Sequence, residues 1–215
     1  MNPFSFERFR TLAGAGLRPE PPGPRDLAER PWQDIDEAED VLLDHASLKP
    51  AAVLVPIIDR PGGATVLLTM RAASLRDHSA QIAFPGGKVD EGDASTIETA
   101  LREAEEEIGL ARVHVSPLGF LDAYLTGTGY RIVPVVAAVT PDFALAINAS
   151  EVDEAFETPL AFLMDPANHL RHGRVWRGRW RSFYAMPHGE RYIWGATAGI
   201  LRNLHDRLLG AALSK

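Results

Sequence analysis

Cysteine is absent from the 215 residues of the chain. This absence excludes a disulfide scaffold, a thiolate zinc site, a cysteine-ligated iron–sulfur cluster and a cysteine nucleophile. Positive charge is also scarce: 29 acidic residues outnumber 22 lysines and arginines, which leaves a formal net charge of −7. Because non-specific nucleic-acid binding needs Lys and Arg to displace phosphate counterions, we expect no nucleic-acid partner.

Long hydrophobic runs are missing as well. The longest apolar stretches, 51–58 and 132–139, are far shorter than the ~20 residues that a membrane helix needs. Residues 1–10 carry three charged side chains and have no apolar core of the kind found in a signal peptide. We therefore expect a cytoplasmic protein that has no membrane partner.

Strand-like and helix-like segments alternate along the chain. Residues 51–59 and 64–71 are apolar, contain β-branched side chains and are separated by Arg60-Pro61-Gly62-Gly63, which is typical of strand–turn–strand. Further strands are predicted over 113–125, 131–140 and 175–185, and helices over 4–12, 36–45, 95–108, 159–163 and 196–209. This interspersion predicts an α/β sandwich with a mixed sheet.

A proline-rich stretch, 18–31, follows the first predicted helix. Proline fixes φ and lacks a backbone donor, so the stretch is expected to be an extended surface connection. We accordingly divide the chain into an N-terminal helix with a proline-rich extension, residues 1–35, and a main domain, residues 36–215.

The segment 102–110, REAEEEIGL, is the most informative part of the sequence. On a helix, Glu103, Glu106 and Glu107 lie at i, i+3 and i+4, where like charges are neighbours and repel. They also lie near the C-terminal end of the predicted helix, where its dipole disfavours anions. A hard counter-ion such as Mg²⁺ or Mn²⁺ would relieve both effects, whereas the simplest alternative is a solvated acidic face.

A glycine-rich loop precedes this helix, and it favours the ion over the solvated face. Paired glycines at 86 and 87 permit positive φ and close approach of the backbone to a ligand. A loop of this kind leading into an acidic helix would place backbone carbonyls and carboxylates around one ion.

Residues 102–110 resemble the second half of the Nudix hydrolase motif, Arg-Glu-apolar-any-Glu-Glu-any-Gly-apolar, at every fixed position. The first half of the motif departs from the family pattern. Gly87 is followed after five residues by Asp93 in place of Glu, and eight residues rather than seven separate Asp93 from Arg102. The resemblance implies a Nudix-type α/β/α sandwich with a mixed β-sheet, and hydrolysis of a diphosphate linked to another group.

A second motif is similar to one in the coenzyme A pyrophosphatase branch of that family. Its residues are Leu67-Leu68-Thr69-Met70-Arg71-Ala72, then Arg76, Gln81 and Phe84-Pro85-Gly86-Gly87, with Ala80 where the branch has Gly. The resemblance implies that coenzyme A or acyl-coenzyme A is cleaved to 3′,5′-ADP and (acyl-)4′-phosphopantetheine. The substrate-binding residues it implies are Arg71, Arg76, Gln81, Phe84, Gly86 and Gly87.

The carboxylates are the candidates for the chemistry. Metal ions neutralise phosphate oxygens and lower the pKa of bound water, and Glu103 and Glu107, one turn apart, are the preferred ligands. Glu106 either binds a second ion or takes a proton from water, so we group Glu103 and Glu106 as catalytic. The Gly87 carbonyl is a further ligand by family analogy. Arg102 is expected to position Glu103 or Glu106 through an ion pair.

Two alternative functions stay open at this point. The same helix would serve a Nudix pyrophosphatase for ADP-ribose or another nucleoside diphosphate derivative, or a non-catalytic module that senses a nucleotide.

The role of an arginine-rich segment is also open. Residues 169–181 include five arginines and no acid. This segment is interpreted first as a strand or a subunit contact in a homodimer, then as a phosphate contact, and last as a nucleic-acid contact.

Overall fold

The computed structural model describes residues 4–23, 26, 48–75, 80–176 and 178–210. Helices in these ranges are α1 (Phe6–Gly16), α2 (Thr96–Ile108), α3 (Leu160–Leu163) and α4 (Ala196–Leu209). The strands are β1 (Lys49–Ile58), β2 (Thr65–Arg71), β3 (Ile82–Ala83), β4 (Gly86–Lys88), β5 (Val115–Phe120), β6 (Tyr124–Leu125), β7 (Tyr130–Val139), β8 (Val152–Pro159), β9 (Leu170–Trp176), β10 (Arg179–His188) and β11 (Arg191–Trp194).

The larger sheet is mixed. Its path runs β3-β2-β1-β7-β5, with β4 also paired to β1, β6 to β7 and β8 to β2. β1 and β7 are parallel over ten residue pairs, from Lys49↔Tyr130 to Ile58↔Val139, whereas the other pairings in this sheet are antiparallel. β9, β10 and β11 form a separate antiparallel sheet. The predicted α/β fold with a mixed sheet is confirmed.

Two apolar clusters lie on opposite faces of the larger sheet and define its layers. One cluster packs α2 against the sheet through residues such as Leu101, Ala104 and Ile108. The other collects side chains from α1, α4 and the small sheet, including Phe9, Leu201 and Ile193. Burial of apolar surface on both faces explains why β1 and β7 consist of nearly continuous apolar residues.

Helix α1 belongs to the second of these clusters, in which Phe9 is fully buried. The boundary predicted at residue 35 lies outside the described residues, as does the helix predicted over 36–45. No helix in the described part of the chain is long and apolar enough to span a membrane.

Two predicted strands need correction. The segment 113–125 begins in a 3-10 turn, Arg112–His114, and then divides into β5 and β6. The segment 175–185 is not a single strand, because the chain reverses between Trp176 and Arg179, which pair with each other. This hairpin exposes Val175 and Trp180, at 66% and 65% of their surface.

A buried carboxylate connects the two ends of the fold. Asp122 is 8% exposed and accepts hydrogen bonds from Asn203 Nδ2 (2.9 Å) and Arg207 Nε (2.8 Å) in α4. Arg18, just after α1, lies 3.3 Å from the same carboxylate. Burial alone would raise the pKa of Asp122, but the hydrogen bonds and positive charges outweigh it and hold that pKa below its usual value.

Replacing this carboxylate should destabilise the protein. We expect Asp122→Asn to lower the free energy of unfolding by about 2–3 kcal/mol at pH 7, less than for a fully buried pair because both arginines are partly exposed. A lowered folded-state pKa stabilises the fold above the unfolded-state pKa, and the contribution is lost as the pH falls through the folded-state value. The gap between the two proteins should therefore shrink in acid, as measured by urea unfolding.

The matched control for this substitution is Asp142→Asn, which alters an exposed loop residue. We expect that variant to stay within ~0.5 kcal/mol of the parent protein. A stability loss at Asp122 that is equally large at pH 7 and in strong acid would contradict the ion-pair explanation.

Candidate active site

The acidic helix begins and ends as its sequence predicts. The Ser95 hydroxyl accepts a hydrogen bond from the Glu98 N–H (3.2 Å), and Gly109 ends α2 in the left-handed conformation, with φ of 68°. Strand β4 crosses beside the helix, because Gly86 and Gly87 pair with Val53 and Ala52 of β1. The glycine-rich loop and the carboxylates therefore meet beside the first residues of β1.

Glu107 is the most buried carboxylate of the site, at 2% exposure. Its Oε2 accepts a hydrogen bond from the Gly86 N–H (3.3 Å), and its Oε1 lies 3.7 Å from Arg71 Nη1. Burial raises the pKa of Glu107 to about 7. The Gly86 hydrogen bond and Arg71 oppose the rise, whereas the charges of Glu103 and Glu151 add to it. The ionised form of Glu107 is therefore disfavoured by burial and by the neighbouring acids.

Glu103 is packed directly against the glycine-rich loop. A Cβ atom on Gly87 would lie 2.5 Å from the Glu103 carboxylate, so a larger residue there would displace this carboxylate from its observed position. The pKa of Glu103 is raised by burial and further by Glu106 and Glu151, with Arg102 opposing the rise. The sequence-based expectation that the loop and helix converge is confirmed by this contact.

Arg102 forms hydrogen bonds with two of the helix carboxylates on their exposed side. Its Nη1 donates to Glu103 Oε1 and to Glu106 Oε2, both at 3.0 Å. The ion pair expected from the sequence is confirmed, and it reaches both glutamates rather than one. Because Arg102 is shared between carboxylates, it fixes their spacing and partly neutralises their repulsion.

Asp93, which departs from the family motif, is the anchor of Arg102. It accepts hydrogen bonds from Arg102 Nε and Nη2, each at 3.0 Å, and from the Thr99 hydroxyl at 2.8 Å. The Arg102 hydrogen bonds hold the pKa of Asp93 well below its usual range. Asp93 is shorter than the glutamate of the family motif and has one more residue between it and Arg102, but it still binds Arg102 through two hydrogen bonds.

Glu151 is a member of the site that the sequence analysis missed. Its negative charge adds to the rise in the pKa of both Glu103 and Glu107, and its Oε1 accepts a hydrogen bond from Asn148, whose N–H donates to the Glu107 carbonyl. Glu151 directly precedes β8, and its backbone carbonyl accepts a hydrogen bond from Ala72 N–H (2.9 Å) at the end of β2. No periodicity or motif in the sequence predicts this placement, because Glu151 is brought close to the helix only by the pairing of β8 with β2.

The other predicted site residues fall into three groups. Arg71, Gly86 and Gly87 lie at the carboxylates, and the Gln81 carbonyl accepts a hydrogen bond from the Arg71 N–H (3.0 Å). The Phe84 ring is 4% exposed and lies in the apolar cluster on the other face of the sheet from α2, so it does not join the carboxylates. Arg76 lies outside the described residues.

The donors of the site suit a hard divalent cation. Carboxylate oxygens and a backbone carbonyl are what Mg²⁺ and Mn²⁺ prefer, and the absence of a Cβ on Gly87 leaves the backbone open to the Glu103 carboxylate. As they stand, no three acidic or histidine side chains of the described ranges are close enough together to hold a metal ion. Glu103 and Glu106 instead face Arg102.

A sandwich in which a glycine-rich loop lies beside a carboxylate helix is typical of a class of hydrolases that act on diphosphate bonds. The family model described as NUDIX domain matches residues 48–183, a range that contains every residue of this site. The chain therefore belongs to the Nudix family and is a Nudix hydrolase.

Curated relatives agree with this assignment. The chain is 42% identical over 161 residues to proteins named uncharacterized Nudix hydrolase NudL from Escherichia coli O1:K1 and from Shigella boydii serotype 18. The alignment covers 73% of this chain and 81% of each relative.

Solved Nudix structures are also similar. An Ap4A hydrolase from C. elegans, solved as a binary complex, matches 51% of this chain and 80% of its own with 20% identity and a TM-score of 0.45. The NUDIX domain of Shewanella oneidensis NrtR, complexed with ADP ribose, matches 59% of this chain and 85% of its own with 23% identity and a TM-score of 0.43.

Proposed function

We propose that this protein is a metal-dependent diphosphatase that cleaves coenzyme A or acyl-coenzyme A to 3′,5′-ADP and (acyl-)4′-phosphopantetheine in the cytoplasm. One observation carries the proposal: Glu107 is contacted from two sides by the segment that resembles the coenzyme A branch. Arg71 approaches its Oε1 and the Gly86 N–H donates to its Oε2. The segment that would select the substrate therefore lines the carboxylates that would cleave it.

The side chains have separable tasks in this reaction. Glu103 and Glu107, with the Gly87 carbonyl, would hold Mg²⁺ or Mn²⁺, which when bound neutralises the diphosphate and lowers the pKa of water. Glu106, 54% exposed at its side chain, is the candidate that takes the proton of the attacking water. The water oxygen joins one phosphorus, and the bond from that phosphorus to the bridging oxygen breaks.

A Nudix pyrophosphatase for ADP-ribose is the main rival, because the same carboxylates would serve it. A nucleotide sensor without activity is less well supported. Burial of Glu107 beside two further acids costs free energy, and a module that only binds an anion has no need of that cost.

Product identification tests the proposal. Incubation of the protein with coenzyme A and Mg²⁺ should give 3′,5′-ADP and 4′-phosphopantetheine, resolved by mass spectrometry. If coenzyme A stays intact while ADP-ribose yields AMP and ribose 5-phosphate, the rival is correct.

Arg71 is expected to contribute to every diphosphate substrate. Because it lies beside Glu107, its guanidinium faces the position of the diphosphate rather than a distant part of the substrate. A charge-assisted contact to phosphate contributes about 1.5–3 kcal/mol, so Arg71→Ala should lower kcat/KM by roughly 10- to 150-fold. The loss should be similar for coenzyme A and for its 3′-dephospho form, measured by steady-state kinetics.

Arg60 offers a matched control, since it is also a partly exposed, ion-paired arginine, with Nη2 2.6 Å from Glu157. Arg60→Ala should leave kcat/KM near the parent value. A loss at Arg71 confined to coenzyme A would instead assign this arginine to the 3′-phosphate.

A further inference from the structure

The loop before β8 is attached directly to the end of the catalytic helix. The N–H groups of Ala146 and Asn148 donate to the carbonyls of Ile108 and Glu107, at 2.8 and 2.9 Å. These carbonyls belong to the last turn of α2, where no intrahelical donor is available. Gly109 makes the approach feasible, because a Cβ there would lie 2.8 Å from Ala146 N.

The Asn148 side chain links that attachment to Glu151. Its Nδ2 donates to Glu151 Oε1 (3.0 Å), while its Oδ1 accepts from the Ser150 N–H (3.2 Å) and from the Ser150 hydroxyl (2.6 Å). A backbone N–H can only donate, so the orientation of the Asn148 amide is defined. One residue therefore binds the helix end through its backbone and a carboxylate of the site through its side chain.

Glu151 is held from a second direction as well. Its carbonyl accepts the hydrogen bond from Ala72 N–H, and its own N–H donates to the Asn148 carbonyl (3.0 Å). Its backbone is thus fixed between the end of β2 and the loop, which leaves the side-chain rotamer as the remaining freedom. The hydrogen bond from Asn148 Nδ2 removes that freedom.

We infer that Asn148 is a positioning residue, which ties the Glu151 carboxylate to the end of α2 and so keeps its negative charge on the side of the helix end that carries Glu107. The inference rests on the proposed metal-dependent activity. Groups of this kind, which orient a residue at a metal site, typically affect affinity or activity by 10- to 100-fold.

Asn148→Asp is the sharpest test. Aspartate keeps the acceptor for Ser150 and the backbone contact to Glu107, but it loses the donor to Glu151. We expect kcat to fall roughly 10- to 100-fold and the apparent Kd for Mn²⁺, measured by calorimetry without substrate, to rise by a similar factor. Asn168→Asp is the matched control, because Asn168 Nδ2 donates to a backbone carbonyl, that of Phe162 (2.9 Å), in a different turn.

A double-mutant cycle with Glu151→Gln separates positioning from general loop stability. If Asn148 acts through Glu151, Asn148→Asp should change neither kcat nor the Mn²⁺ Kd further in the Glu151→Gln background. Independent, multiplying losses would overturn the inference, and so would unchanged Mn²⁺ binding in Glu151→Gln. Because Mn²⁺ binding is measured without substrate, this outcome is distinguishable from a failure of the coenzyme A assignment.

Discussion

Glu107→Gln should abolish most of the activity while leaving the fold intact or more stable. Glutamine keeps the shape and the acceptor for the Gly86 N–H, but it removes the charge that would bind the metal. Since orienting groups around metal sites contribute 10- to 100-fold, loss of a direct ligand should lower kcat/KM by at least ~10²-fold. This is measured by steady-state hydrolysis of coenzyme A with saturating Mg²⁺.

The stability of the same variant should move in the opposite direction. An ionised carboxylate that is 2% exposed, beside two other acids, is unfavourable in the folded state. Removing its charge should therefore raise Tm, or leave it unchanged, when divalent ions are absent. Glu105→Gln is the control on the same helix, because that side chain is 50% exposed and contacts Arg112 instead. A Glu107→Gln protein with full activity would remove this residue from the metal site.

Removal of divalent ions should have the second large effect. After dialysis against a chelator, we expect no detectable turnover, and activity should return with Mg²⁺ or Mn²⁺. An ion present at 100 times its Kd stabilises the native state by about 2.7 kcal/mol, which corresponds to a Tm increase of roughly 5–10 °C for a protein of this size. Differential scanning calorimetry with and without the ion measures that increase.

Variants make the metal test specific to the site. The increase in Tm on adding Mg²⁺ should disappear in Glu107→Gln and persist in Glu105→Gln. Full activity in excess chelator would contradict a metal-dependent reaction. An equal Tm increase in both variants would show that the ion binds at a site that does not include Glu107.

The sequence predicts the acidic helix α2 closely because its signals are local. The Ser95 cap, the apolar stripe and Gly109 all lie within the helix or at its ends, and the predicted and observed bounds differ by one residue at the start. The neighbouring glycine-rich loop was also predictable, since the paired glycines stand out in the sequence and the lack of a Cβ on Gly87 leaves room for the Glu103 carboxylate.

Strand β8 was missed because its pattern is obscured by charge. It pairs with β2 alone among the described strands, and along it only Val152, Phe156 and Thr158 are buried. The acidic residues between them give this segment a sequence pattern that is typical of a polar loop. The β9–β10 hairpin was missed for a different reason, because the alternation of apolar and charged residues continues in the sequence across the reversal at Gly178, where φ is 77°.

The placement of Asn148 and Glu151 near the end of α2 could not be predicted from local sequence. More than forty residues separate Glu151 from Glu107, and only the pairing of β8 with β2 brings it to the site. A short polar segment such as Asn148–Glu151 carries no signal that distinguishes it from an ordinary turn. The helix motif could therefore be predicted from the sequence, whereas the loop residues that tertiary pairing brings close to it could not.

The most direct test of the substrate assignment compares kcat/KM for coenzyme A and ADP-ribose on the same preparation with saturating Mg²⁺. Both substrates carry a diphosphate, but coenzyme A adds a 3′-phosphate and a pantetheine arm. One additional charge-assisted contact predicts roughly 10- to 150-fold higher kcat/KM for coenzyme A. A higher kcat/KM for ADP-ribose would contradict the assignment.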